Sequence, residues 1–547
     1  MNPPRGVRPA VLLFATDRRA LLLLVAAALL LLATGLAGRD FWDPDEPRTA
    51  IITQSIVRGS WAVPELTGHP WLEKPPLYYW LAAAAASATG GVTEAAVRLP
   101  ANLAALLLAL TVFLLGRDLY GRRTGALAAL VLLTMEDFLI EARWARPDML
   151  LALWLTLAVL FLWRGAAVEE GAALPWAGFF LMCGLGVLTK GPVGLLPIPG
   201  ALLFLASTRR LRRLGQPDWV PGLPLLAAPV GAWMLAWSAT TGSHFPLLAV
   251  LQRFEERVVS GLHHPRPAWQ LLTMLPLALV PWVALLPATI AETWPRRAPR
   301  DDRAVFLYTL LASDALLFAA SVEKRGVYLL PMVPLLALLL GRFWDLSLFD
   351  WDPPPARRLV AAGLLAWAVV VVVAAVVVWH KAGRESADLA AASGRLGLAG
   401  VLAFLPPAIL LRRLGTGRAI ALFAAGAAAT GLVVVHGVLP AIDPLKSARP
   451  LASRVADASG GAPVGILPDP HAGFAWYLAR PVALLPDRDA LAGFVGEPDR
   501  GVALVERGAW NAMQPWSGHD METILTGRIG HRDFVLLRAA VPPGGDP

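Results

Sequence analysis

ALLLLVAAALLLLATGLAGRDFWDPDEPRTAIITQSIVRGSWAVPELTGHPWLEKPPLYYW, residues 20–80, joins an apolar run to a loop crowded with reactive side chains. The run, 20–38, is long enough to cross a ~30 Å hydrocarbon core as a helix. The loop behind it holds Asp43, Asp45, Glu46, Glu73 and Lys74 among prolines and aromatics. A plain connection between two membrane helices needs none of these, so the stretch points to chemistry at a membrane surface.

Composition supports the membrane reading. The 547 residues are 56% hydrophobic and 16% charged, with a mean hydropathy of +0.57. A soluble chain of this size would expose too much apolar surface. The net charge of +8 is carried by arginines clustered between apolar runs, a topology signal rather than a nucleic-acid footprint. Cys183 is the single cysteine, so no intrachain disulfide can form.

Thirteen candidate spans follow at about 20–38, 97–116, 124–141, 148–163, 173–189, 192–207, 219–239, 270–290, 304–321, 326–341, 359–379, 396–411 and 418–436. Arg5, Arg8, Arg18 and Arg19 precede the first and put the N-terminus inside. Every second loop is again positive, as in Arg117, Arg122 and Arg123, or Arg209, Arg210, Arg212 and Arg213, and the phase holds to Arg412, Arg413 and Arg418. The weakest division is between 173–189 and 192–207. A cleaved signal peptide is an alternative for the first run, although it is long for one and lacks a clear cleavage site. With the N-terminus inside, the loop 39–96, the turns near 142–147 and at Lys190, the loop 240–269, the turn at Glu323–Arg325 and everything after His436 share the outer face.

The tail changes character. Short β-like runs (Val464–Leu467, Val482–Leu485, Val502–Val505, Phe534–Leu537) alternate with helical pieces at Ala472–Leu478 and Asp489–Phe494. The expected fold is therefore an all-α polytopic membrane domain over 1–439, with the first outer loop at 39–96, and a small α/β domain over 440–547 on the outer face.

The outer residues suggest roles. Asp45 or Glu46 can accept a proton from an acceptor hydroxyl or orient it; a solvated acidic loop or a helix start at Pro47 explains the pair equally. Lys74, beside Glu73 and followed by Tyr78, Tyr79 and Trp80, suits a phosphate, or an interfacial anchor. Asp148 opens a span at its outer end, where it faces a cavity or caps a helix beside Arg146. Lys190 and the trio Glu323, Lys324 and Arg325 put positive charge outside, against the usual bias, so a bound lipid phosphate is a natural ligand. His263 and His264 diverge on any regular element and make a poor metal site. There is no Gly-rich nucleotide cradle and no Ser-His-Asp arrangement. A donor carried on a lipid is expected, with no nucleotide and no other cofactor.

These residues resemble a known family. Asp45-Glu46-Pro47-Arg48, Glu73-Lys74-Pro75-Pro76, Arg98-Leu99-Pro100, Arg146-Pro147-Asp148, Leu188-Thr189-Lys190-Gly191 and Lys324-Arg325-x-x-Tyr328 are similar, in order, to motifs of the GT-C glycosyltransferases that use polyprenyl-phosphate sugars, the aminoarabinose transferase and protein O-mannosyltransferase group. The resemblance implies thirteen helices in the bacterial inner membrane, the tail in the periplasm, and juxtamembrane helices in the first outer loop. It implies inverting transfer of a sugar from a polyprenyl-phosphate donor to a lipid A, glycan or protein acceptor. Asp45, with Glu46, would be catalytic; Lys74, Arg48, Arg257 and Tyr328 would hold the donor phosphate; Glu73, Asp148, Lys190 and Lys324 would line the cavity. Thr49 and Trp71 stand where the family usually has an aromatic and a tyrosine. Gln252 replaces a histidine, so no metal is expected.

Two other classes fit membrane-embedded charge. A transporter or lipid flippase would spread charges to mid-membrane and both faces, within two repeated halves, and neither pattern is present. A non-catalytic membrane protein would have no use for Asp45.

Overall fold

The computed structural model describes residues 16–167, 172–256, 266–295, 301–348, 354–467, 472–496, 501–516 and 520–540. Helices occupy every one of the thirteen apolar segments. Eight are long and apolar enough to cross a membrane among the described residues: Glu94–Tyr120, Asp148–Ala166, Ala173–Leu195, Pro217–Thr241, Asp302–Ala320, Pro354–Ala382, Ala387–Leu414 and Thr416–Lys446. The pair Gln270–Ala278 and Trp282–Thr293, bent by 108°, makes a ninth if it is one broken span. The chain is thus a multi-pass membrane protein.

The other predicted spans are shorter or interrupted, for visible reasons. The first helix, Asp17–Leu32, stops before residue 38 because Gly35 turns the chain with a left-handed φ of 78°. Arg122–Leu133 breaks at Thr134 and Met135 before Glu136–Glu141. Gly191–Leu195, a 3₁₀ turn carrying Pro192, separates Ala173–Lys190 from Pro197–Ser207. Small residues let neighbouring helices close up: a Cβ on Gly125 would overlap the Phe113 carbonyl oxygen, so Glu94–Tyr120 and Arg122–Leu133 touch backbone to backbone.

The first outer loop folds into two helices, Asp45–Val57 and Leu77–Thr89, joined by the hairpin Glu65–Leu66 and His69–Pro70. In the tail, five strands lie in the order Val482–Leu484, Val464–Leu467, Val502–Glu506, Arg532–Ala539, Met521–Ile529. The first three are parallel and the last two antiparallel. Val464–Leu467 is buried along its whole length, because helices cover the sheet on both faces: Leu451 and Phe474 pack on one side, Leu491 and Val495 on the other. All four β-like runs of the sequence are strands. The fifth, METILTGRI, is a half-exposed edge with too weak an apolar alternation to be read beforehand.

The helix Ala472–Tyr477 and the first loop touch. The Tyr477 hydroxyl accepts the Phe41 N–H at 2.6 Å.

Candidate active site

Asp45 and Glu46 are adjacent at the start of one helix, yet have opposite environments. Neighbouring helical side chains point about 100° apart, which sends Glu46 inward and leaves Asp45 beside Lys74, a residue of the cavity wall. Glu46 is fully buried. It accepts from Arg39 at 2.5 and 3.1 Å and from Arg98 at 2.8 and 3.1 Å. The backbone N–H groups of Trp42 and Ala145 add bonds at 3.0 and 3.1 Å. Every lone pair of the carboxylate is engaged by the scaffold. The structure therefore corrects the expectation of a catalytic Glu46: it ties the loop, the helix Glu94–Tyr120 and the turn at Ala145 together and meets no open space. Burial would raise its pKa, but Arg98 and Arg39 outweigh burial and hold it down to about 2.

The Asp45 carboxylate faces side-chain cations. Its oxygens lie 3.7 Å from Lys74 Nζ and 3.4 Å from both Arg146 Nε and an Arg325 guanidinium nitrogen. The helix N-terminus favours a negative charge there. Burial by itself would raise the Asp45 carboxyl; Lys74, Arg146 and Arg325 together hold it far below the usual carboxylate range. Burial pushes the Lys74 ammonium down, against the pull of Asp45 and Asp148.

Lys74 also opens onto the main cavity, of about 450 Å³. Glu73, Lys74, Asp148, Lys190, Glu323 and Tyr328 line its polar end, and Leu151, Leu196, Ile198, Leu317 and Phe318 its apolar remainder. Lys190 pairs with Asp148 and lies 4.7 Å above the Tyr328 ring, which stacks on Phe318. A cavity with cations at one end and aliphatic walls below suits an anionic head on an apolar chain. Beneath it a space of about 20 Å³, room for one water, shares Leu196 and Pro331 with the first and meets the buried Asp314 and Thr156. Among the described residues no three His, Cys, Asp or Glu side chains converge as metal ligands would.

The cavity thus gathers Glu73 with Lys74, Asp148, Lys190 and Tyr328 from four separate motifs. Lys324 is not brought to it. Its ammonium donates to the Ser321 and Arg266 carbonyl oxygens, so it fastens the turn, and its neighbours Glu323 and Arg325 face the site instead. Arg48 is half-buried one turn beyond Asp45 and is absent from the cavity wall. Arg257, like His263 and His264, lies outside the described residues. Sequence reasoning missed Arg146 as a partner of Asp45, having paired it with Asp148, and took Arg98 for a motif residue without a task. The outward-facing arginines were the available signal: charge on the outer side that topology does not explain.

Residues 73–239 match the family described as dolichyl-phosphate-mannose-protein mannosyltransferase. Over 313 residues the chain is 32% identical to the undecaprenyl phosphate-alpha-4-amino-4-deoxy-L-arabinose arabinosyl transferase of Pseudomonas aeruginosa, covering 56% of each chain. To the enzyme of the same name from Edwardsiella ictaluri it is 31% identical over 317 residues, again 56% of each. The match spans about half the length of these curated relatives. The crystal structure of ArnT from Cupriavidus metallidurans bound to undecaprenyl phosphate superposes with a TM-score of 0.74 at 22% identity, over 96% of this chain and 99% of that one. Its apo form gives 0.74 at 21% identity, over 94% and 97%. By sequence over about half its length the chain is similar to the aminoarabinose transferases, and by fold over nearly all of it to ArnT.

Proposed function

We propose that the chain is an inverting membrane glycosyltransferase that moves a sugar from a polyprenyl-phosphate donor to an acceptor on the periplasmic face. One observation carries this reading: Asp45 sits between Lys74, Arg146 and Arg325, and Lys74 also lines a cavity with Lys190 at its polar end and apolar walls. In this reading the donor phosphate rests on Lys74 and Lys190, with Tyr328 alongside. Asp148 pairs with Lys190 and Glu73 stands beside Lys74, and the prenyl chain follows the apolar wall. The acceptor oxygen attacks the sugar carbon from the face opposite the phosphate; the new C–O bond forms as the bond to the phosphate oxygen breaks, and polyprenyl phosphate leaves.

Asp45 orients the acceptor. Three cations make it a weak base, and a donor phosphate that shares the Lys74 ammonium returns part of its basicity. An already anionic acceptor, such as a lipid A phosphate, needs only the orienting role; a hydroxyl on a glycan or protein also needs the proton removed.

The same reading takes residues 1–439 as the catalytic membrane domain and 440–547 as a periplasmic domain, with thirteen crossings in the bacterial inner membrane and a cytoplasmic N-terminus. Parity supports it. The contact between Phe41 and Tyr477 requires an even number of crossings between them, and the first helix makes the total odd. The test is transfer by the purified chain from undecaprenyl-phosphate sugars, read by mass spectrometry against lipid A, glycan and peptide acceptors. Lack of transfer to any of them by folded protein sinks the proposal.

A further inference from the structure

Residues 40–43, which lead directly into Asp45, are held by side chains more than 400 positions away. The Tyr477 hydroxyl accepts the Phe41 N–H at 2.6 Å and donates to Glu94 at 3.2 Å. The Asp443 carboxylate accepts the Asp40 N–H at 3.0 and 3.2 Å and the Trp42 indole N–H at 2.6 Å. Ser447 donates to the Asp40 carboxylate at 2.7 Å, and the Gly473 N–H donates to Asp43 at 3.0 Å. The approach at Gly473 is close: a Cβ there would overlap the Asp43 carboxylate and come within 2.8 Å of Ala448 Cβ.

On its other flank the loop is locked by Glu46 between Arg39 and Arg98. Asp45 stands between these two clamps, and its own contacts to Lys74, Arg146 and Arg325 are all 3.4 Å or longer. Ion pairs that loose do not by themselves fix a carboxylate. The backbone on either side fixes it.

We propose that the C-terminal part of the chain is a positioning element of the active site. The Tyr477 hydroxyl and the Asp443 carboxylate set the path of residues 40–43 and so set where the Asp45 carboxylate stands. Neither group reaches the cavity, so they act through Asp45. The kinetic consequence rests on the transferase reading above; the mechanical one does not.

The experiment uses the full-length chain in lipid nanodiscs with Tyr477→Phe, Asp443→Asn and Gly473→Ala. A misplaced reacting group costs on the order of a hundredfold, so kcat should fall about ten- to a hundredfold. KM for an undecaprenyl-phosphate sugar should stay within about twofold, and the melting temperature should hold. Hydrogen–deuterium exchange should rise at residues 40–45 and stay unchanged in 94–120. Unchanged kcat in all three variants overturns the proposal, as does a joint loss of kcat, donor KM and melting temperature, which marks a purely structural contact. If the unaltered chain transfers nothing, the transferase reading has failed, and exchange decides alone: faster exchange at 40–45 sustains the positioning role, and unchanged exchange refutes it.

Discussion

Replacing Glu46 by Gln should destabilise the protein rather than spoil its chemistry. The carboxylate is buried between Arg39 and Arg98 with two backbone donors on its remaining lone pairs. Gln keeps the size but removes the charge and turns one acceptor into a donor facing guanidinium. Breaking a buried pair in this way costs about 3–5 kcal/mol. The pKa gives the same scale: a carboxyl held at about 2 against an ordinary 4.5 corresponds to about 3 kcal/mol. Set against a typical total of about 5–15 kcal/mol, that is severe. The assay is melting of detergent-solubilised protein followed by tryptophan fluorescence, with membrane abundance alongside. Because the folded pKa is depressed, the stabilisation is complete above 4.5 and disappears as pH falls through about 2. The melting-temperature gap between wild type and Glu46→Gln should therefore be wide at neutral pH and close across that acid window. Equal melting temperatures at neutral pH would refute the scaffold role and reopen the catalytic one.

Asp45→Asn should keep normal abundance and melting behaviour while transfer falls about 10²- to 10⁴-fold for a hydroxyl acceptor; full activity would remove Asp45 from the mechanism. Lys74→Ala should weaken undecaprenyl phosphate binding about ten- to a hundredfold, since a charged hydrogen bond contributes about 1.5–3 kcal/mol, whereas Lys324→Ala should leave that affinity within about twofold. Calorimetric titration of the two variants compares them directly, and equal losses would contradict the cavity geometry. Reporter fusions after residues 95, 215 and 445 should read outside, inside and outside; an inside signal at 445 would break both the parity argument and the thirteen crossings.

Several features were legible in the sequence because they depend on short windows. The apolar runs became helices since each satisfies its own backbone hydrogen bonds. The strands at 464–467 and 502–506 were visible as compact apolar runs between turns. The carboxylate pair was found and Asp45 preferred as the reacting member, but the buried scaffold role of Glu46 was not seen. Their difference lies in partners 7, 52 and 99 positions from Glu46, and no local pattern encodes those. The pairing of Arg146 with Asp45, and of Lys190 with Asp148 42 positions away, escaped for the same reason. Lys324 shows the converse: a lysine in a family motif reads as a ligand contact until its ammonium is seen spent on two carbonyl oxygens.

The long reach from residues 40–43 to Asp443 and Tyr477 also bears on how the protein is made. A chain threaded into the membrane from its N-terminus delivers the Asp45 loop early and its clamps last, 403 and 436 residues behind the positions they hold. During that interval the loop sits among finished helices with its backbone donors open. In the positioning role proposed above, the nascent chain acquires its working geometry only once its final segment has folded, and a ribosome that stalls before residue 443 would leave the Asp45 loop without either clamp.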